Sequence, residues 1–364
     1  MITKLSLENF KCFEEMSLSL SNVNIFSGVN GMGKSTVLQS LLLLRQSYLR
    51  DHLTHGLYLN DRYVELGNAQ DVLYEKAQND TIKIKYVTSE KYEAEYAFQY
   101  RIDYDCLPMI YHATEGTDSI LFGDNFAYLS SFRIKPQDLY RIANEEELRK
   151  HEFGNNGEFA LQYLGVFGDE PIANKNIVLE KNTDSTLKDQ TRIWLDKIAP
   201  GIWPQVIVNS QLRTSEVRYE FIEGKDKTGS YKSTNVGFGI TYVLPIIVAI
   251  LSAKKGDLIL LENPEAHVHP AGQRALGELI ALAGAGGVQL MVETHSDHIL
   301  NGIRIAVKNK QITGENVKIA FFYKDMSDSF KHKYTSPSIL PDGRLDSWPE
   351  GFFDEWDKEL YALI

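Results

Sequence analysis

Cysteine is scarce: Cys12 and Cys106 are the only two among 364 residues. Two thiols can build neither a disulfide framework nor a four-cysteine zinc site, so a reducing, cytoplasmic setting is expected. Positive charge is also short. Lys and Arg number 38 against 49 Asp and Glu, a formal charge of −11. A protein that coats nucleic acid by bulk electrostatics needs the opposite balance, although a local basic groove stays open. No apolar run reaches the roughly 20 residues of a membrane span. The longest, about 240–251, contains Pro245 and reads as a buried helix. The opening residues show no basic stretch followed by an apolar core, so neither a signal peptide nor a membrane partner is expected. Repeats, low-complexity tracts and long heptad runs are missing, which excludes a coiled-coil tether.

What is present is a globular composition, 43% hydrophobic and 24% charged, incompatible with wholesale disorder. The length suits two lobes, or one large α/β domain with insertions. Leu5 and Leu7, then Met16, Leu18 and Leu20, alternate at period two and predict two antiparallel strands, with a third at 23–26. Helical periodicity runs from Lys34 to about Leu49. The middle is mixed, with strands expected at 81–87 and 92–102 and helices at 137–150 and 187–198. Glycine and asparagine clusters break it at 153–157 and 224–229. From Val236 onward, helix, strand (258–261), helix (270–283), strand (288–293), helix (297–307) and strand (318–323) alternate. That is the pattern of a parallel sheet with crossover helices.

Between the third strand and the first helix lies Gly28-Val29-Asn30-Gly31-Met32-Gly33-Lys34-Ser35, which fits G-x-x-x-x-G-K-[ST]. Asn30, Gly31 and Gly33 let backbone N–H groups curl around phosphate oxygens, and the helix N-terminus adds its positive end. Lys34, read as an exposed loop residue, should reach the β- and γ-phosphates. Ser35 should ligate Mg²⁺, and Thr36 stands near the α-phosphate. ATP and Mg²⁺ are the cofactors this motif implies.

The segment Leu258-Ile259-Leu260-Leu261-Glu262-Asn263-Pro264-Glu265 is an apolar strand that delivers a carboxylate at its C-terminal end, where open α/β sheets bind ligands. Glu262 is expected to be the Mg²⁺-associated acid. Glu265 reads either as a catalytic acid or as a charge in the first turn of a helix. Val292-Glu293-Thr294-His295-Ser296 repeats the strand-end pattern and places His295 as a γ-phosphate sensor. His267, His269, His295 and His298 allow a zinc reading, although no cysteine joins them. Asn235-Val236-Gly237-Phe238-Gly239 opens the apolar helix as a further anion site, with a flexible helix cap as the alternative.

These residues together resemble the ABC-type ATPases of the SMC, RecF and OLD group, in their stand-alone prokaryotic form. The resemblance is carried by Leu7-Glu8-Asn9-Phe10-Lys11-Cys12-Phe13, the phosphate loop, Glu262 through Pro270, and Glu293-Thr294-His295-Ser296. The tail, Asp342-Gly343-Arg344-Leu345 with Trp348-Pro349-Glu350-Gly351-Phe352-Phe353-Asp354, resembles a subgroup with a WPxGFF-type ending. The middle third matches loosely, for example from Tyr128-Leu129 to Arg133-Ile134.

The implied fold is an α/β ABC-type ATPase head. It has an N-terminal antiparallel β-subdomain, a mixed α/β insertion and a mainly parallel P-loop sheet. The expected segments are 1–60 with the phosphate loop, 61–234 as insertion, 235–330 with the remaining motifs, and 331–364 as tail. The resemblance also implies a head-to-tail homodimer that sandwiches ATP. Asn235, Gly237 and Gly239 would act in trans, Glu262 would take the Walker B position, and His295 would be the switch histidine.

One departure matters. The usual catalytic glutamate after the Walker B acid is replaced by Asn263, and an amide cannot accept a proton from water. Either Glu265 substitutes, or hydrolysis is slow and the chain acts as an ATP-gated switch. Only about 40 residues follow the strand at 318–323, fewer than the extra metal-binding domain of OLD-type nucleases needs. The acids Asp342, Asp346, Glu350 and Asp354 read more simply as a solvated helix face or as turn caps than as a metal cluster.

The function expected is therefore a regulatory or sensor ATPase for a separate effector, a nuclease or toxin, in anti-phage defence. The alternatives are a RecF-like repair or loading ATPase acting on DNA or RNA, and a non-hydrolysing nucleotide-binding scaffold. Lys225, Lys227, Lys232, Arg304, Lys308, Lys310, Lys331 and Lys333 could line a nucleic-acid groove.

Overall fold

Alternating burial builds the first sheet. In Thr81–Thr88 every second residue is buried, and Leu5 and Leu7 of Ile2–Phe10 follow the same rule. Leu7 faces Met16 on one neighbouring strand and Ile84 on the other, while Leu5 faces Leu18 and Tyr86. All six side chains are buried, each large aliphatic contributing about 1.5–3 kcal/mol.

The computed structural model describes every residue except 116–119, 151, 180–184, 224–225, 328–330, 354–358, 361–362 and 364. Lys225 and Asp354 thus lie outside the described residues. The chain divides into two compact units.

The first unit comprises Met1–Asp124, Val317–Ser338 and Leu345–Ile364. Its antiparallel sheet runs in the order Phe13–Ser19, Ile2–Phe10, Thr81–Thr88, Glu93–Gln99, Cys106–Glu115, Gly56–Tyr58. The expected strand 92–102 stops at Gln99, because Asp103 turns the chain with a left-handed φ of 63° and leaves Ile102 exposed. The strand Val23–Gly28 pairs in parallel with Val317–Asp325, which pairs antiparallel with Lys331–Thr335. Helix Lys34–Asp51 follows Gly28 across a short loop, and its Leu41–Leu44 run is wholly buried.

The second unit comprises Asn125–Asn316 and Ile339–Arg344. Phe126–Leu129, Leu258–Glu262 and Gln289–Glu293 form parallel pairs with Leu258–Glu262 central. Leu258 to Leu261 are buried on both faces, as a covered parallel strand requires. Helix Phe238–Ser252 is the expected apolar helix and carries Pro245 within it. Helix Pro270–Ala285 starts with proline at its first turn, and helix Asp297–Lys308 is capped by Ser296. Helix Leu187–Ile198 matches its predicted bounds and buries Trp194, whose indole N–H donates to the Ile177 carbonyl at 2.8 Å.

The helix expected over 137–150 is corrected. Tyr140–Arg141 forms a short strand against Thr214–Ser215, and only Glu145–Arg149 is helical, opened by a capping box on Asn144. Tyr140 is 1% exposed, and its hydroxyl accepts the Gln137 N–H. That burial outweighs local helical propensity. The hairpin of Ile202–Asn209 and Thr214–Glu223 has no counterpart in the sequence reading.

Candidate functional site

In the first unit, the phosphate-loop strand ends at Gly28. A Cβ there would sit 2.3 Å from the Phe322 carbonyl oxygen. Gly33 caps the helix from a left-handed conformation, with φ 104° and no side-chain acceptor. A Cβ on Gly33 would lie 2.5 Å from the Phe13 ring and 2.7 Å from Cys12 Sγ. The loop thus rests on the turn of the first hairpin, and the helix amides are left for an anion.

Lys34 corrects the expectation of an exposed side chain, for it is 4% exposed. Its Nζ donates to the carbonyls of Gly28 at 2.9 Å and Val29 at 3.0 Å. The ammonium is therefore held over its own loop. It lines a cavity of about 700 Å³ with Gly31, Gly33, Ser35 and Thr36. Asn30 and Gly31 are exposed at the loop's tip. An open space above Gly31, a left-handed Gly33 and a positioned ammonium fit a polyphosphate.

Several cavity residues escape the sequence reading, Lys11 and His332 among them. Lys11 was noted in the opening motif but not as a site residue. It sits at a left-handed turn with φ 53° and donates to Gln39 Oε1 at 2.7 Å. Burial pulls its pKa below the ordinary lysine value, against the raising influence of Cys12 and Asp71. His332, on Lys331–Thr335, had no sequence signal at all.

In the second unit, Glu262 ends its strand with both carboxylate oxygens engaged. Oε1 accepts the Tyr128 hydroxyl at 3.0 Å and Oε2 accepts the Ser131 N–H at 3.2 Å. Burial, then the Glu262 charge, raise the Tyr128 pKa well above the ordinary phenol value. Asn263 turns the chain with a left-handed φ of 43°, a conformation asparagine tolerates. Its side-chain oxygen is buried without a partner among the described residues.

Arg133 secures this turn from below. Its guanidinium, 3% exposed, donates to the carbonyls of Ser130 at 2.9 Å, Glu262 at 2.8 Å and Asn263 at 2.5 Å. It lies 5.7 Å from the centre of the Tyr242 ring. Burial lowers its pKa to about 10.

Glu265 is not in the first turn of a helix. The next helix begins at Pro270, and Glu265 sits in the loop before it, where its carbonyl accepts the Val268 N–H at 3.0 Å. One carboxylate oxygen accepts the Thr294 hydroxyl at 2.8 Å and the other the His295 N–H at 2.6 Å. Burial raises its pKa above the ordinary carboxylate value, against the lowering effect of these bonds. The structure therefore joins Glu265 to His295, through the histidine's backbone; His295 itself is exposed.

Asn235 ends the short turn Ser233–Asn235 and Gly237 caps helix Phe238–Ser252, both exposed. Gly239 is confined: a Cβ would lie 2.1 Å from the His267 carbonyl oxygen. The histidines of the zinc reading have other duties. The His267 ring meets Tyr242 edge-on at 4.9 Å, and His269 accepts the Ala271 N–H at 3.3 Å. Among the described residues no group of three His, Cys, Asp or Glu is placed to hold a metal. Asp342 accepts from the Arg344 side chain at 2.7 Å, and Asp346 from the Ser338 N–H at 2.9 Å, as turn caps do.

A family profile described as "AAA domain, putative AbiEii toxin, Type IV TA system" matches residues 23–301. The chain belongs to that family. A second profile, "Protein of unknown function (DUF3696)", matches residues 312–363. No curated protein sequence matches the chain.

Among solved structures, the crystal structure of the SmcHead bound to the C-winged helix domain of ScpA is similar at a TM-score of 0.55 and 14% identity. The match covers 93% of this chain and 98% of that one. The Smc head domain with an extended coiled coil, bound to the C-terminal domain of ScpA from Pyrococcus furiosus, is similar at 0.52 and 13%. That match covers 100% and 99%. The fold is that of an SMC-type ABC ATPase head. Among the described residues no helix is long and apolar enough to cross a membrane.

Proposed function

We propose that this ABC-type ATPase binds and slowly hydrolyses ATP in a head-to-tail homodimer, and that it gates a separate effector in anti-phage defence. The observation that carries the nucleotide reading is Lys34, held by the Gly28 and Val29 carbonyls inside a cavity shared with Ser35 and Thr36. Lys34 and the loop amides bind the β- and γ-phosphates, and Thr36 orients the α-phosphate. Ser35 is the residue that would hold Mg²⁺, whose charge offsets that of the phosphates; Glu262 takes the Walker B metal-acid position that the resemblance gives it. Glu265 orients water, with Asn263 and His295 beside it on adjoining strand ends. A raised pKa makes Glu265 a better proton acceptor than an ordinary carboxylate. Asn235, Gly237 and Gly239 meet the partner's nucleotide; the exposure of Asn235 and Gly237 at a helix start supports that role.

The effector role rests on the resemblance and on the family description, which names a toxin of a type IV TA system. ATP contacts both protomers in such a dimer, so it favours that state by its differential affinity. Light scattering on the Glu265→Gln protein tests this. The mass should double when ATP and Mg²⁺ are added. A monomer in every condition removes the trans role of Asn235, Gly237 and Gly239.

A further inference from the structure

The short turn Ser233–Asn235 leads into helix Phe238–Ser252. Its own closing bond, from the Val236 N–H to the Ser233 carbonyl, is long at 3.4 Å. Lys232, Thr234, Asn235 and Gly237 are exposed, yet Ser233 in their midst is 1% exposed. Segment 137–140 of the same unit covers it. The Ser233 hydroxyl donates to the Gln137 carbonyl at 2.5 Å and accepts the Tyr140 hydroxyl at 3.2 Å, which in turn accepts the Gln137 N–H at 3.0 Å. Three hydrogen bonds thus close a ring in which each hydroxyl gives one and takes one. Asp138 grips the residues on either side of Ser233. One carboxylate oxygen accepts Lys232 Nζ at 2.8 Å and the other the Thr234 hydroxyl at 3.2 Å.

The brace has a fixed base. Tyr140 is buried on a strand paired with Ser215, and Arg133, a few residues upstream, is anchored on the carbonyls of Glu262 and Asn263. A buried ring of hydroxyls adds little net stability over apolar packing of the same shape. What it adds is direction. It fixes the residues immediately before Asn235 and leaves Asn235 and Gly237 facing outward. A loop that must be ordered on binding gives up affinity for each freedom it surrenders, and a loop already held does not.

We propose that Tyr140 and Asp138 are positioning residues that pre-order the 232–235 approach and so hold Asn235 and Gly237 ready for the partner protomer's nucleotide. The role rests on the head-to-tail dimer reading above. It gives a task in that dimer to a segment without a motif of its own, 93 residues before Ser233 in the case of Tyr140.

The test uses the full chain carrying Glu265→Gln as parent, with Tyr140→Phe, Asp138→Ala and, as control, Trp194→Phe, which loses a buried hydrogen bond elsewhere in the unit. Light scattering reads dimerisation in MgATP. A titration at protein concentrations below the dimer range reads MgATP binding to the monomer, and a melt reads stability. Loss of the brace at one turn should weaken that contact about 3- to 10-fold, the scale of immobilising one side chain. A symmetric dimer has two such turns, so Tyr140→Phe and Asp138→Ala should each weaken dimerisation about 10- to 100-fold, with the monomer's Kd for MgATP within about 2-fold of the parent. Asp138 is exposed, so Asp138→Ala should melt like the parent. Trp194→Phe should lower the melting temperature and leave dimerisation unchanged. If both brace variants dimerise like the parent, the brace is wrong and the dimer reading stands. If Trp194→Phe weakens dimerisation as much as Tyr140→Phe does, the loss is general destabilisation and the brace is again wrong. A parent that stays monomeric in MgATP overturns both.

Discussion

Glu265 accepts the backbone N–H of His295 at 2.6 Å, tying the loop after one parallel strand to the loop after the next. The bond places the carboxylate at a fixed point beside the strand ends. The contact is made by the His295 backbone, and the residue itself is exposed.

Glu265→Gln should lower turnover by roughly 10²-fold, the usual scale for removing a general base, while ATP binding persists. The variant has a second signature. Burial leads the influences that raise the Glu265 pKa, so the native state holds this proton more tightly than the unfolded chain. Between the ordinary carboxylate pKa and the raised native one, native protein carries more protons, and stability falls as pH rises. Glutamine removes that loss. The melting temperature of Glu265→Gln relative to wild type should therefore climb from acidic to neutral pH. Wild-type turnover in the variant would leave Glu265 with a structural role only.

Gly237 and Gly239 should separate fold from function. A Cβ on Gly239 meets the His267 carbonyl oxygen at 2.1 Å, so Gly239→Ala should cost about 1–3 kcal/mol. Gly237 has open space at a φ of −60°, and Gly237→Ala should stay within about 1 kcal/mol of wild type. If the backbone at Gly237 approaches a nucleotide across the dimer, that stable variant should nonetheless lose ATP-linked dimerisation. Chemical denaturation and light scattering read the two effects independently.

Arg133→Ala should be among the most damaging single changes in the second unit. Three carbonyls lose a charged donor at once, and a cost of at least about 3 kcal/mol is expected. Arg133→Lys should recover little, because one ammonium cannot span the fork that reaches Ser130, Glu262 and Asn263. Denaturant midpoints at constant m-value would show this; a lysine variant as stable as wild type would contradict it.

The elements best read from sequence are those whose residues answer to near neighbours. The phosphate loop and helix Lys34–Asp51 follow from adjacent glycines and a dense leucine run. Helix Leu187–Ile198 follows from its own periodicity and the Thr186 cap. Residues that answer to distant partners were hidden. Arg133 serves the carbonyls of Glu262 and Asn263, about 130 residues away, and carbonyls leave no mark in a sequence. Tyr140 looked helical because its strand partner Ser215 and the Ser233 hydroxyl it donates to lie far outside its own segment. Phe126–Leu129 is too short to declare itself before its parallel neighbour Leu258–Glu262 is known. The exposure expected of Lys34 fails for the same reason, since its ammonium lies against the carbonyls of its own loop and the side chain is buried.

The strand beside Val23–Gly28 in the first unit is Val317–Asp325, about 290 residues later in the chain. A ribosome adding about 5–20 residues per second needs roughly 15–60 s to cover that gap. During that time the phosphate loop has neither the Phe322 carbonyl beneath Gly28 nor the strand that bears His332. A nascent chain halted anywhere in the interval would carry the loop's motif without its mature shape. On the ATP-binding reading, nucleotide competence arrives late in synthesis.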